Sequence, residues 1–277
     1  MHNVLRLSWR IVANAVGHFN ADDGWAMASH VALSIILALF PFILFGTALA
    51  SFLGASDFAD TTRHLIFDTW PSVIAKPIAT EATRVMTEQH KGLLTISVLA
   101  AAFFASNGVE ALRVSLNRAY RVSDRRSIVW TRAQSLLFVI LAVLVFLAIS
   151  VLIVLSPLLA GLLKEGLPVL APAISLVDNW RVVAAGFVLL LGLVTVHIWL
   201  PAGHRRFVDV LPGVVLTLTC WLAGASVFSA YLQSFQSYVY TYAGLASIMI
   251  ALVFLYMISV IFILGAELNA SILALKQ

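Results

Sequence analysis

The sequence predicts an all-α, polytopic membrane protein with about six transmembrane helices and interfacial amphipathic helices beside them. Three observations carry this. Of 277 residues, 61% are hydrophobic and 11% charged, whereas a soluble domain carries roughly 45–50% apolar and about 25% charged residues. No Asp, Glu, Lys or Arg occurs in the 33 residues between Asp23 and Asp57, the 18 between Lys91 and Glu110, the 31 between Arg132 and Lys164, or the 23 between Arg181 and Arg205. A further uncharged run covers 57 residues from Val210 to Ala266. A water-soluble enzyme, a disordered chain and a disulfide scaffold are all poor fits to these numbers.

A helix needs about 20 mostly apolar residues to cross the ~30 Å hydrocarbon core, so each of the first four gaps holds one span. The last would reach about 86 Å as one helix at 1.5 Å per residue. It must fold back, and the polar, aromatic stretch Gln233-Ser234-Phe235-Gln236-Ser237-Tyr238 is the natural turn. The expected spans are residues 27–53, 92–106, 134–156, 182–200, 208–231 and 243–269, within one integral membrane domain over 1–277. Backbone groups left unpaired in lipid cost several kcal/mol each, which leaves helices as the only option for such runs. The alternation of a membrane β-barrel is absent. Pro41 in the first span and Pro212 near the start of the fifth mark kinks or helix starts.

Orientation follows from Lys and Arg. Arg6 and Arg10, the cluster Arg113, Arg118, Arg121, Arg125, Arg126 and Arg132, then Arg205, Arg206 and Lys276, place eleven positive residues on one side. The other side has six, offset by seven acids. Both termini are therefore expected to be cytoplasmic. The pI near 9.5 then reflects a basic face opposite anionic lipid and calls for no nucleic acid. No cleavable signal peptide is expected, because the first apolar run begins late and is long. Cys220 is the sole cysteine, which excludes an intrachain disulfide.

Three connections carry structure of their own. Ile78, Ala82, Val85 and Met86 recur at helical spacing, with Glu81, Arg84 and Glu88 on other faces, as in an amphipathic helix on the outer surface. Residues 158–177 are apolar but broken by Pro168 and Pro172, and read as interfacial or re-entrant. Residues 233–242 carry four aromatics and no charge, as chain among headgroups does. The inner connection 110–126 is strongly basic and starts as a continuation of the second helix. Either it is a surface helix on anionic lipid, or some of its arginines grip a phosphate or headgroup.

Polar and ionisable groups inside spans are costly and attract a functional hypothesis. Those present are His30, Asn107 and Glu110, His197, Asp209, and Glu267 with Asn269; the expected topology puts all of them at one inner level. They are either helix-end residues meeting headgroup water, or the walls of a polar vestibule. In a vestibule, Glu267 and His197 would exchange a proton, or Glu267 would pair with Arg113 or Arg118. Gly265 and Ala266 beside Glu267 permit close helix approach. No Walker-type loop, HExxH pair or Gly-x-Ser-x-Gly elbow occurs, and the acids are scattered. Catalytic residues, cofactor and metal are therefore all expected to be none, and an enzyme is the weaker class.

Several stretches read together. Ala28-Ser29-His30 leading to Leu37-Ala38-Leu39-Phe40-Pro41 resembles the opening signature of the YihY/virulence factor BrkB family of bacterial inner-membrane proteins, formerly labelled ribonuclease BN. Ala105-Ser106-Asn107-Gly108-Val109-Glu110-Ala111-Leu112 with Leu116-Asn117-Arg118-Ala119-Tyr120 is similar to its central motif. Leu200-Pro201, Leu211-Pro212-Gly213, Trp221, Tyr231-Leu232, Phe235, Tyr238 and Gly265-Ala266-Glu267-Leu268-Asn269-Ala270 resemble its C-terminal half. The resemblance implies six spans and links to virulence, serum resistance and the traffic of envelope lipids. Departures exist: Leu33 and Ser34 stand where many members have paired tyrosines, and Tyr242-Ala243-Gly244 replaces a Tyr-Gly.

The expected function is to move, or help move, a lipid or other envelope solute, with Asn107, Glu110, Arg113, Asn117, Arg118 and Glu267 forming the site beside Asn269, His197 and His30. A proton- or sodium-coupled transporter using Glu267 and His197 is the alternative. A third reading is a non-transporting scaffold that recruits envelope-assembly proteins through its outer helices. Membrane lipids are partners in all three.

Overall fold

The computed structural model describes residues 2–52, 91–150, 152, 171–234 and 236–275. Their regular elements are seven helices: α1 (His2–Ala21), α2 (Gly24–Phe52), α3 (Lys91–Ala119), α4 (Ile128–Ser150), α5 (Ala171–Trp199), α6 (Phe207–Ser234) and α7 (Gln236–Ala274). No strand occurs among the described residues.

Helix α1 has no counterpart in the expected spans, because it is too polar to cross a membrane. Its signal is amphipathic: Ile11, Ala15 and Phe19 recur every fourth residue, and Ala15 and Phe19 are buried while Leu7, Trp9 and Val12 are exposed. The chain then turns at residues 22–23. Asp23 adopts φ 54°, a left-handed conformation that short polar side chains tolerate best. The Phe19 ring lies so close to Gly24 that a β-carbon there would sit 2.7 Å from the ring's Cγ, so the turn requires glycine. Trp25 meets Phe19 edge-on at 5.0 Å and donates its Nε1 proton to Asn20 Oδ1 at 2.8 Å.

The most extensive packing is α2 on α3, followed by α6 on α7; α7 also touches α1, α2 and α3, and α4 and α5 link α3 to α6. Helices α6 and α7 cross at Gly213 and Gly265. A β-carbon on Gly213 would overlap the Gly265 carbonyl oxygen, and one on Gly265 would fall 2.8 Å from the Gly213 oxygen. Small residues allow this approach, in keeping with the expectation for Gly265. Thr217 Oγ1 donates to Gly213 O at 2.8 Å, and Trp221 Nε1 donates to Ile258 O at 3.0 Å across the same pair.

The burial pattern is that of a chain dissolved in oil. On α4, Leu136, Leu137, Ile140, Leu144, Phe146 and Leu147 are exposed, as are Phe187 and Leu191 on α5 and Val215, Leu222 and Val227 on α6. Apolar faces of this extent do not persist in water. Four stretches are long and apolar enough to cross a bilayer, Ile128–Ile149, Trp180–Trp199, Phe207–Leu232 and Ile248–Ala274, with Gly24–Leu39 a shorter apolar stretch in α2. This is an all-helical membrane protein.

Boundaries differ from the sequence reading where polar residues extend a helix. The second expected span, 92–106, is the first part of α3, which continues to Ala119. Helix α4 starts at Ile128, ahead of the expected 134, and residues 151 and 153–156 lie outside the described residues. Residues 171–177 belong to α5, so the segment read as interfacial over 158–177 is helical from Ala171. Pro172 sits in the first turn, where its missing N–H costs nothing. Of the stretch expected to turn, residues 233–234 belong to α6 and 236–238 to α7, and residue 235 between them lies outside the described residues. The outer amphipathic helix at 78–88 lies outside the described residues.

Candidate functional site

Helices α3 and α5 end, and α4 and α6 begin, at one end of the bundle, which α7 also reaches with its last turns. The hub there is the short connection from Tyr120 to Arg126. Helix α3 ends in a left-handed cap: Arg121 has φ 56°, Val122 N donates to Asn117 O at 2.9 Å, and Arg121 N to Arg118 O at 2.9 Å. Glycine normally occupies that position, and a non-glycine residue there costs roughly 1–3 kcal/mol. Arginine holds it here because its side chain is engaged elsewhere.

That engagement is Glu267. Arg121 Nη2 donates to Glu267 Oε2 at 2.8 Å, and its Nε lies 3.8 Å from Asp22 Oδ2. Glu267 is 1% exposed. A carboxylate taken out of water needs a partner, so the pair pins the hub to α7 and, through Asp22, to the end of α1. Arg113 and Arg118, the partners proposed for Glu267 on sequence grounds, are used differently.

Arg113 grips Glu110 with two nitrogens, Nε to Oε2 at 3.0 Å and Nη2 to Oε1, and turns Nη1 to Asp124 Oδ2. Asp124 also accepts from Arg126 Nε at 2.8 Å, Arg126 Nη2 at 2.6 Å and Asn117 Nδ2 at 3.1 Å. Arg126, with its backbone N–H donating too, is the first cause that holds this carboxyl well below the usual carboxylate range; Asn117 adds to it. Arg126 continues to Gln134 Oε1 at 2.8 Å and Leu200 O at 2.9 Å, and Ala202 N donates to Asn117 Oδ1 at 2.7 Å. Arginines 113 and 126 are thus consumed in tying the hub to α3, α4 and the end of α5. Arg118 is exposed and reaches Asp23 Oδ2 at 3.0 Å. Asn107 accepts from Arg132 Nη1 at 2.6 Å.

A third group is neutral. Asn269 accepts from Gly213 N at 2.6 Å, and its Nδ2 donates to Val210 O at 2.9 Å and to Tyr120 Oη at 3.3 Å. The Gly213 N–H fixes which amide atom is oxygen. With its oxygen receiving from Asn269, the Tyr120 hydroxyl is left to donate to His197 Nδ1, 2.9 Å away. This sets the polarity Asn269 to Tyr120 to His197 and places the imidazole proton on Nε2. That atom is buried without a partner among the described residues, and the ring lies 4.9 Å from Phe262. Burial pushes the Tyr120 phenol up to about 12. The Arg205 guanidinium stacks over the Tyr120 ring, 3.8 Å from its centroid.

Of the nine residues singled out in the sequence, Glu110, Arg113, Asn117, His197, Glu267 and Asn269 join this end-layer directly. Asn107 enters it through Arg132, Arg118 sits at its rim, and His30 is exposed on α2 apart from it. His197 and Glu267 do not meet in a hydrogen bond; each has its own partner. The sequence reading missed Asp22, Tyr120, Asp124 and Gln134 as participants and Arg121 as the partner of Glu267. No group of three or more His, Cys, Asp or Glu placed to hold a metal ion occurs among the described residues.

The family model described as "Virulence factor BrkB" matches residues 15–275. Among curated relatives, "Putative ribonuclease-like protein YfkH" of Bacillus subtilis is 27% identical over 254 residues, covering 91% of each chain. A UPF0761 membrane protein of Rhodospirillum centenum is 24% identical over 95% of this chain and 57% of its own length. Another from Legionella pneumophila is 23% identical over 94% of this chain and 61% of its own. The chain therefore spans about three fifths of these two relatives. No solved structure matches the chain.

Proposed function

We propose, from the premise that this chain belongs to the virulence factor BrkB family, that it moves, or helps move, a lipid or another envelope solute across a bacterial inner membrane. One observation carries this reading: an acidic side chain, Glu267, is buried on an apolar helix and is held by Arg121 from a connection outside that helix. Such a group is expensive in a membrane protein and is the default mark of a substrate or ion path. Arginines 113, 118 and 121 stand in ion pairs, so the layer acts as a closed gate at the cytoplasmic ends of the helices. Opening it would free cationic groups to meet an anionic headgroup. The excess of Lys and Arg in these connections supports that sidedness, with both termini cytoplasmic.

The direct test is reconstituted protein in liposomes. Lipid scrambling or solute flux above protein-free vesicles is expected, and Glu267→Gln should reduce it; flux that ignores the substitution removes Glu267 from the mechanism. The second reading, proton- or sodium-coupled transport, is favoured by the Asn269–Tyr120–His197 chain beside the same gate, and expects flux that follows an imposed pH or sodium gradient. We assign no catalytic activity. Ribonuclease activity that survives stringent purification and is abolished by a point substitution in this chain would overturn that assignment. The scaffold reading rests on residues 61–90, outside the described residues, and loses its basis if their deletion leaves the phenotype intact.

A further inference from the structure

A groove of about 990 Å3 opens beside the end-layer, between the start of α4, the end of α5 and the connection that follows α5. Its polar rim carries Arg125, Arg126 and Arg205; Trp130 and Trp199 flank it, and Leu137 and Phe138 line its apolar side. Asp124 is the acid that lines it, and Arg113 and Arg126 already neutralise that carboxylate. Arg125 and Arg205 have no acidic partner among the described residues. Arg205 Nη2 donates to Ala202 O at 3.0 Å, but Nη1 is buried without a hydrogen-bond partner among the described residues. An arginine with a buried, unpaired nitrogen is an incomplete arrangement, because a desolvated cation gains most from an anion.

We infer that this groove binds the phosphate headgroup of an anionic membrane lipid, with Arg205 and Arg125 as the cationic contacts and the acyl chains running along the apolar side toward Phe138. The arrangement favours a lipid over free phosphate for two reasons. Trp130 and Trp199 are both largely exposed and stand at helix ends, the depth at which indole rings sit among headgroups. The apolar residues then follow along α4, where a free anion would have no use for them and a lipid tail would. Arg205 also stacks on Tyr120, so an occupied groove touches the chain that leads to Asn269 and the α6–α7 crossing. The inference names the substrate class of the proposed function and rests on that reading only for the step from binding to movement.

The test uses the full chain in nanodiscs of phosphatidylcholine doped with phosphatidylglycerol, with retained lipid read by native mass spectrometry. Phosphatidylglycerol should be retained in preference to phosphatidylcholine, and millimolar inorganic phosphate should not displace it. Arg205→Gln and Arg125→Gln should each weaken retention about tenfold, the loss of one charge-assisted contact. Arg206→Gln, a neighbouring exposed cation that does not line the groove, should leave it unchanged. Arg125 is exposed, so its variant reports on binding even where Arg205→Gln disturbs folding through Tyr120. Retention at the wild-type level in Arg125→Gln and in folded Arg205→Gln overturns the inference, and so does complete displacement by inorganic phosphate. Arginine-dependent retention by a protein that moves no lipid sustains the groove and removes the movement.

Discussion

Replacing Gly213 with alanine tests the helix crossing that holds the end-layer together. The new β-carbon would overlap the Gly265 carbonyl oxygen and stand 2.6 Å from Cγ and Nδ2 of Asn269. The carbonyl belongs to backbone and has no rotamer to escape into, so α6 and α7 must part by ~1 Å. Overpacking of this kind costs about 1–3 kcal/mol. Parting the helices also strains the bonds from Asn269 to Gly213 and Val210, each worth about 1 kcal/mol. Against this, alanine in place of glycine inside a helix gains about 0.5–1 kcal/mol. The expected net loss is about 2–4 kcal/mol, measured by denaturant unfolding in mixed micelles with tryptophan fluorescence as the signal. Gly186→Ala is the control: a β-carbon there meets nothing within 4 Å, so only the helical gain remains. Gly213→Ala as stable as Gly186→Ala would refute the close crossing.

Arg121→Ala should cost about 2–4 kcal/mol by stranding the buried Glu267 carboxylate, and adding Glu267→Gln should recover part of the loss; a double-mutant cycle showing simple additivity would contradict the pair. Asp124→Asn should cost about 2–3 kcal/mol at pH 7. Because the folded-state pKa of Asp124 is lowered, its contribution is present above the ordinary value near 3.8 and is lost as pH falls through the lower folded value. The gap between wild type and Asp124→Asn should therefore narrow in acid-unfolding titrations, and a gap that widens on acidification would reverse the sign of the argument. Tyr120 behaves oppositely: its phenol keeps its proton to about pH 12 when folded. Wild-type stability should thus fall above about pH 10 by an amount that Tyr120→Phe lacks, read from alkaline unfolding midpoints.

Much of this architecture is written in the chain as one-dimensional pattern. Uncharged runs of bilayer length mark α4 to α7, because a helix in lipid must be apolar along its whole length. Glu267 stands out for the same reason: it follows a 57-residue run without charge and adjoins a small-residue pair. Helix α1 escaped because its apolar residues cover one stripe, and counting charges is blind to stripes. Pairing was less legible still. Arg113, Arg118 and Arg121 lie on one short segment, and nothing local says which of them reaches Glu267; the left-handed cap at Arg121 decides it by turning the chain toward α7. That cap gives no sequence warning, since glycine or asparagine is its usual sign. Asp124 carries no local sign of its role in a basic connection, yet three side chains converge on it, because packing α4 and α5 beside α3 brings their ends to one place.

Sidedness tests the account most directly. In a Cys220→Ser background, single cysteines at His18, Ser123 and His204, all exposed near the end-layer, are probed with a membrane-impermeant maleimide in inside-out and right-side-out vesicles, with Glu165→Cys as the opposite-side reporter. The three should react only in inside-out vesicles and Glu165→Cys only in right-side-out ones. Labelling of the three from different faces would place the ends of α1, α3 and α5 on opposite sides of the membrane, and the shared layer around Glu267 would not exist.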